Sequence, residues 1–374
     1  MTDPDLFQWE QRRLGGCWTL LGVAQDVARD GDWFRATLGG RSVFVQRFGT
    51  EVRAFENVCL HRFYPLRTEA KGNGPVRCGF HHWQYDHEGR AVGIPKCKEM
   101  FGVTPREMDV RLAPVEVATC GPLIFGRFTE PGAQPTLEEY LGDGFPILRA
   151  MTDVGTLPAP IHLEARANWK LGIQISMDDY HAVAIHPDTF GKYGYLNADA
   201  VRYHRFGLHS AFFLGPSGET PRDMAAACAA RTYRPRQYRI LNLFPNLLTS
   251  HTEAAGWWFN VIQQYVPVAP DRTEVRSWIF PSSFPARDQS LIGRVGRGVT
   301  KPFLPVAVPP RLRKIVGEDN RACEQLQIVA GQVDGDARLG RLEERIGWFL
   351  AAYAECLGPE PATNTSSGEK ARPS

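Results

Sequence analysis

The chain has 374 residues, enough for two domains with full cores, and its 43% apolar and 22% charged residues are the make-up of a soluble globular protein. Its 43 Lys and Arg nearly cancel 41 Asp and Glu, leaving +2, which gives no electrostatic reason to expect nucleic acid or an anionic membrane as partner. No apolar run is long enough to span a bilayer, and MTDPDLFQWEQRR lacks the apolar stretch of a secretory signal, so a cytoplasmic location is expected.

In chain order, residues 1–15 hold a short N-terminal helix. From 16 to 130 the chain turns β-rich: TLLGVAQDV, DWFRATLGG, RSVFVQRFG and APVEVATCGPLIFGRF are short runs punctuated by Gly and Asp. The Pro- and Gly-rich TEPGAQPTLEEYLGDGFP predicts a connector over 131–150. Residues 151–357 read as α+β, with NWKLGIQISMDDYHAVAIHP helical in spacing up to its proline. Long strands are predicted in RQYRILNLFPNLLTS, GWWFNVIQQYVPV and EVRSWIFPS, and closing helices in RACEQLQIVAGQV and RLGRLEERIGWFLAAYAECL. Residues 358–374 have the composition of a disordered tail.

Eight cysteines, at 17, 59, 78, 97, 120, 228, 323 and 356, would stay reduced in a cytosol and serve as ligands or small packing residues rather than disulfides. Two keep company with histidine. Cys59-x-His61 and Cys78-x-x-His81 stand on two turns between β-runs, so two loops can face one another across a metal centre. Two thiolates on one iron and two imidazoles on the other raise the potential of a two-iron cluster above that of an all-cysteine one. A Cys₂His₂ zinc site is the competing reading, but zinc sites usually pair Cys with Cys and His with His, whereas each half here contributes one of each. Cys17, Cys97 and Cys120 have no ligand spacing and read as packing residues.

These two segments, CLHRFYPL and RCGFHHWQYDHEGRAVGIP, resemble the signature C-x-H-R-G…C-P-Y-H-G-W-x-Y-D-x-x-G-x-L of the Rieske non-haem iron oxygenases, alpha (catalytic) subunit, the aromatic-ring-hydroxylating family. Phe63 and His82 replace the glycines that the pattern carries. The resemblance implies an N-terminal all-β Rieske [2Fe–2S] domain, with Cys59, His61, Cys78 and His81 holding the cluster. It further implies a C-terminal helix-grip domain, an antiparallel sheet with helices, around a mononuclear Fe2+.

For that second site, two histidines and a carboxylate make the facial triad that leaves iron positions open. Asp178 and His181 are three residues apart and can share a helix face, whereas His181 and His186, five apart, cannot unless the helix widens or breaks before Pro187. NWKLGIQISMDDYHAVAIHP resembles the family's N-W-K-x-x-x-E-N-x-x-D-x-Y-H-x-x-x-x-H, with Gln174 and Ile175 in place of the usual Glu and Asn. GEDNRACEQLQ resembles E-D-x-x-x-x-E-x-x-Q, which points to Asp319 as the carboxylate ligand, with Glu318 as the fallback.

The same resemblance implies a homotrimer in which one subunit's cluster feeds the neighbour's iron, from His81 through Asp178 of the adjacent subunit to His181. O2 is the implied co-substrate. The sequence carries no Gly-rich dinucleotide fingerprint, so electrons from NAD(P)H would arrive through a reductase, with or without a ferredoxin. The substrate would be a small, aromatic organic molecule, in a pocket for which Ile175, Phe190, Tyr193, Phe212, Leu247 and Trp257 are candidates, with Phe213, Phe259 and Trp278 behind them. The alternatives are a quaternary-amine or N-demethylating monooxygenase, with Trp257, Trp258 and Glu253 as a cation cage, a Rieske electron-transfer protein without oxygenase activity, and a zinc-stabilised binding module.

Overall fold

The side chain of Asp3 accepts hydrogen bonds from the backbone of Asp5 and Leu6, and Pro4 fills the first helical position, so the chain enters a helix at once, α1 (Pro4–Leu14). The computed structural model describes residues 2–129, 132–191, 194–215, 218–254, 257–284, 290–300, 303–332, 335 and 337–358. The tail expected over 358–374 lies, beyond Gly358, outside these residues.

The β-rich stretch forms β1 (Thr19–Val23), β2 (Asp32–Leu38), β3 (Arg41–Phe48), β4 (Glu51–Glu56), β5 (Lys71–Asn73), β6 (Val76–Arg77), β7 (Gln84–Tyr85), β8 (Ala91–Gly93), β9 (Pro114–Cys120) and β10 (Leu123–Arg127). They build a seven-stranded sheet in the order β1-β10-β9-β4-β3-β2-β5 and a small sheet β6-β7-β8, with short helices α2 (Cys97–Phe101) and α3 (Pro105–Met108) between them. The β2–β3 hairpin turns on Gly39 and Gly40, both at positive φ, the backbone of a two-residue hairpin turn. A Cβ on Gly39 would sit 2.7 Å from the Cα of Gly15, so this glycine also lets the end of α1 close on the hairpin.

The region read as a connector is more ordered than its Pro and Gly content suggested. It carries α4 (Leu137–Leu141), started by a Thr136–Glu139 capping box, and α5 (Gly144–Met151). Leu137, Leu141, Ile147, Leu148 and Met151 are buried in one core with Trp18, Leu123 and Phe125 of the first half and Phe213, Leu241, Ile262 and Trp278 of the second. The two halves therefore share a core; at about 1.5–3 kcal/mol per buried large apolar side chain, that burial outweighs the local breaker signal.

The second half contains β11 (Ile161–Ala165), α6 (Trp169–Ile175), α7 (Ala182–Ile185), β12 (Val201–Phe206), β13 (His209–Leu214), α8 (Pro221–Ala229), β14 (Arg239–Leu243), β15 (Leu247–Ala254), β16 (Trp257–Ala269), β17 (Arg272–Pro281), α9 (Leu291–Thr300), α10 (Leu304–Val329) and α11 (Glu344–Leu357). Its antiparallel sheet runs β11-β17-β16-β15-β14-β13-β12, and α6, α10 and α11 bury Trp169, Ile173, Leu312, Val316, Ile346 and Phe349 in a core shared with Tyr265 and Val275 of the sheet. This is the expected α+β arrangement, an antiparallel sheet grasped by helices. Helix α10 begins before Pro309 and Pro310, earlier than the sequence suggested. The buried stripe Leu312, Val316 and Cys323 supplies the packing that offsets the prolines.

Candidate metal centres

The two cysteine–histidine loops have the same backbone. In each, the cysteine N–H donates to the carbonyl five residues on (Cys59 to Tyr64 and Cys78 to Trp83, both 2.8 Å), and the residue four on donates back to the cysteine carbonyl (Phe63, 2.9 Å; His82, 3.1 Å). Closing so tight a turn puts that fourth residue in the left-handed region, and Phe63 and His82 both sit at φ 60°. The glycines of the family pattern have a steric reason; this chain meets the same geometry with a phenylalanine and a histidine. His82 is exposed, with Nδ1 3.0 Å from Arg77 Nη2.

Cys59 and Cys78 are buried, at 1% exposure each. The Cys59 sulfur lies 3.3 Å from the Tyr85 hydroxyl, which also accepts from the Leu60 N–H; burial pushes the Cys59 thiol up. The histidines lie outward, with ring centroids 4.5 Å apart and His61 stacked on Trp83 at 4.9 Å. His61 Nδ1 is buried and finds no hydrogen-bond partner among the described residues. Thiolates inside, imidazoles at the surface and an orphaned ring nitrogen fit a cluster held by two sulfurs and two nitrogens.

The second site depends on a broken helix. α6 ends at Ser176, whose hydroxyl donates to the Ile173 carbonyl at 2.6 Å. Asp178 Oδ1 then accepts from the N–H groups of Tyr180 (2.8 Å) and His181 (3.0 Å), which starts a new turn instead of continuing the old one. α7 lasts four residues, and Pro187 forces His186 out of helical backbone to φ −117°, ψ 61°. The uninterrupted helical spacing of the sequence is thus not realised: Asp178 lies on the loop between α6 and α7. The break before His181 and the departure at His186 bring the two imidazoles to a ring separation of 5.4 Å.

α10 supplies the carboxylate. Asp319 lies on the same helix face as Leu312, Val316 and Cys323, so burying that stripe drives it inward. Its Oδ1 is 3.0 Å from His186 Nε2 and 3.5 Å from His181 Nε2, and the three ligand atoms lie within 4.8 Å of one another. Bonds of about 2.1 Å at right angles put neighbouring donor atoms about 3 Å apart, close to the two distances from Asp319, so the three side chains could hold one ion. Among the described residues, Asp319 Oδ1 and His181 Nδ1 are buried and find no hydrogen-bond partner.

The outer imidazole nitrogens are backed by carboxylates: His186 Nδ1 by Glu318 Oε2 at 2.8 Å and His181 Nδ1 by Asp178 Oδ2 at 3.7 Å. Glu318, the fallback ligand of the sequence reading, therefore faces the far side of His186 and orients it. Burial lowers the basicity of His181, but the carboxylates of Asp178 and Asp319 beside it outweigh this and push the imidazole up to about 10. Burial raises Asp319, and its two imidazole neighbours more than reverse this.

Sequence reasoning missed the buried network that holds the α6–α7 loop. Arg345 of α11, fully buried, donates to Asn242 Oδ1 (2.6 Å), Asp179 Oδ2 (2.9 Å) and the Ser176 carbonyl (3.2 Å). Asp179 also accepts from the Tyr203 hydroxyl at 2.8 Å, and Asn242 donates to Ser176 Oγ at 2.7 Å. The partners are distant in sequence and share no motif; only the second aspartate of Asp178–Asp179 hinted at one.

The pocket candidates divide by strand alternation. Phe190 lies against the triad, its ring 5.5 Å from His186. Phe212 packs with Ile240 and Leu248 on the face that carries Tyr203, and Ile175 packs with Leu171 and Cys323 beside Asp319. Leu247 is a correction: it points to the opposite face, into the shared core with Phe213 and Trp278, because neighbouring strand residues alternate sides. Trp257, the first residue of β16, donates from its indole nitrogen to Thr300 Oγ1 of α9 at 2.9 Å. Trp257 and Trp258 are consecutive on β16 and face opposite ways, so they form no single cage. Tyr193 lies outside the described residues.

Two outcomes follow from this geometry. Phe63→Gly and His82→Gly should each stabilise the holoprotein by about 0.5–1 kcal/mol in chemical denaturation, the left-handed cost less glycine's added freedom in the unfolded chain; a loss of stability would show that neither residue is strained. Because His181 gains its proton affinity from two carboxylates, loading iron(II) into the metal-free triad at pH 8 should release that proton, and binding should weaken as pH falls. Calorimetry in buffers of different ionisation enthalpy measures the release, and buffer-independent heats would contradict it.

Residues 17–114 match the model of the Rieske [2Fe–2S] domain, and residues 156–358 match that of the ring hydroxylating alpha subunit, catalytic domain. The chain is 31% identical over 210 residues to the terephthalate 1,2-dioxygenase terminal oxygenase component subunit alpha 2 of a Comamonas species, a stretch that is 50% of this chain and 47% of that protein. It thus spans about half the length of the curated relatives it matches. Its fold is similar to naphthalene 1,2-dioxygenase from Rhodococcus sp., with a TM-score of 0.70, 21% identity and coverage of 95% and 92% of the two chains. It is also similar to the quaternary ammonium Rieske monooxygenase CntA, with a TM-score of 0.66, 16% identity and 95% coverage of each. With both halves matched and the catalytic match covering more than half of its length, the chain belongs to the ring-hydroxylating alpha subunit family, carrying a Rieske [2Fe–2S] domain ahead of its catalytic domain.

Proposed function

We propose that the protein is the terminal oxygenase component of a multicomponent Rieske oxygenase. Cys59, His61, Cys78 and His81 would hold the [2Fe–2S] cluster, and His181, His186 and Asp319 the mononuclear iron. The observation that carries this reading is the convergence of two imidazole Nε2 atoms on Asp319 Oδ1, each imidazole backed by its own carboxylate, in a chain that also carries the two cysteine–histidine loops. Iron(II) held by three residues on one face supplies open positions for dioxygen chemistry.

The chain's own residues set the conditions. Glu318 accepts the Nδ1 proton of His186 and so leaves Nε2 as the metal-facing lone pair. Asp178, fixed by the Tyr180 and His181 N–H groups, presents its second oxygen to His181 Nδ1. His81 is exposed at the outer edge of the cluster loops and Asp178 is a fifth exposed, which suits a contact between His81 of one subunit and Asp178 of the next in a homotrimer. Electrons would come from a separate NAD(P)H reductase, with or without a ferredoxin, in the cytoplasm. No helix among the described residues is long and apolar enough to cross a membrane.

Phe190 against His186, and the apolar face of Phe212, Ile240 and Leu248, favour a small aromatic substrate for hydroxylation. The quaternary-amine reading loses its candidate cage, because Trp257 and Trp258 point apart.

The test is a single turnover. Anaerobic, dithionite-reduced holoprotein is mixed with labelled O2 and panels of small aromatics and quaternary amines. Label should enter an aromatic product, and Asp178→Asn should keep both metals yet slow turnover by about a hundredfold or more, a loss typical of removing a group that orients a catalytic centre. Normal single-turnover rates in that variant would remove the relay, and label in no compound would remove the oxygenase reading.

A further inference from the structure

Cys17 and Cys356 belong to neither metal centre, yet their sulfurs stand 2.6 Å apart from positions 339 residues distant in sequence. Cys17 follows the end of α1 and leads into β1, with 5% of its surface exposed; Cys356 is in the last turn of α11 and is half-buried. Both pack in one core with Leu14, Phe349, Ala352 and Leu357.

The two backbones are held together by contacts that owe nothing to the sulfurs. Arg13 Nε donates to the Leu357 carbonyl at 2.8 Å. Glu10 of α1 pairs with buried Lys170 and accepts from the Tyr353 hydroxyl of α11. These fixed flanks keep one thiol beside the other, which is the condition for ready exchange within a chain.

From this geometry we propose that Cys17 and Cys356 form a disulfide clasp joining the end of α1 to α11. The clasp would give this pair a role beyond the packing expected of it, since both cysteines are free thiols here and Cys17 is buried in the core. With a small-molecule disulfide as oxidant, the thiolate of half-buried Cys356 attacks one sulfur and releases one thiolate. Cys17, its proton lost to solvent, attacks the mixed disulfide at Cys356 and releases the second. Two protein thiols are oxidised, one disulfide is reduced to two thiols, and no metal is involved. The clasp ties down the helix that carries Arg345, and closing so long a loop restricts the unfolded chain most strongly.

The holoprotein is equilibrated anaerobically with oxidised glutathione, quenched by alkylation and digested without reduction. A Cys17–Cys356 peptide pair, lighter by two hydrogens than the two thiol peptides, is expected. The oxidised protein should melt higher than the thiol-reduced protein by about 5 °C or more. Cys356→Ser, at a half-buried position, should lose both effects and retain the Rieske-type signal of the cluster. The wild-type comparison needs no variant to fold. Recovery of a stable glutathione adduct on Cys356, alkylation of both thiols after oxidation, or equal melting temperatures for the oxidised and reduced forms would each overturn the clasp.

Discussion

A mostly buried carboxylate facing two imidazoles is the constraint on which the catalytic half depends. Asp319 lies within 3.5 Å of both Nε2 atoms, and burying such charges is tolerable only if each is compensated. The chain compensates them in pairs, Asp178 behind His181 and Glu318 behind His186. That arrangement demands a helix that stops, a loop that restarts it, a proline that ends it, and a long helix whose apolar stripe aims one carboxylate inward. Shifting any one of these by a residue would turn a ligand to the wrong face.

Rigidity of the loop comes from elsewhere. Arg345 on α11 ties the Ser176 carbonyl and Asp179 to Asn242 on β14. α11 is pinned in turn to α1, whose Glu10 reaches Lys170 at the start of α6. The N-terminal helix thus supports the metal-bearing segment as well as the sheet it precedes. With α4 and α5 packed between the halves, the cluster domain and the catalytic domain share structure rather than merely a linker.

Much of the site was legible because ligands come in local motifs. Cys59-x-His61 and Cys78-x-x-His81 announce themselves, and the five-residue spacing of His181 and His186 already required a break in the helix. Phe63 and His82 were legible as departures, but the left-handed turns they occupy show only in the backbone. Strand alternation says that Phe212 and Phe213, or Leu247 and Leu248, face apart; which face meets the triad is a tertiary fact, and Leu247 proved to be core. Asp179, Asn242 and Arg345 are joined by chain folding across more than 160 residues, a distance over which no motif or periodicity operates. The Pro- and Gly-rich segment before residue 150 misled for a related reason, since capping and core burial outweighed composition.

The most direct measurement is iron content and EPR of the reduced protein, wild type against Asp319→Ala. About three irons per chain with a Rieske-type signal are expected, falling to about two in the variant with the signal unchanged, since only the mononuclear site uses that carboxylate. A colourless zinc protein, or an iron content that Asp319→Ala leaves untouched, would contradict the assignment of two separate centres in this chain.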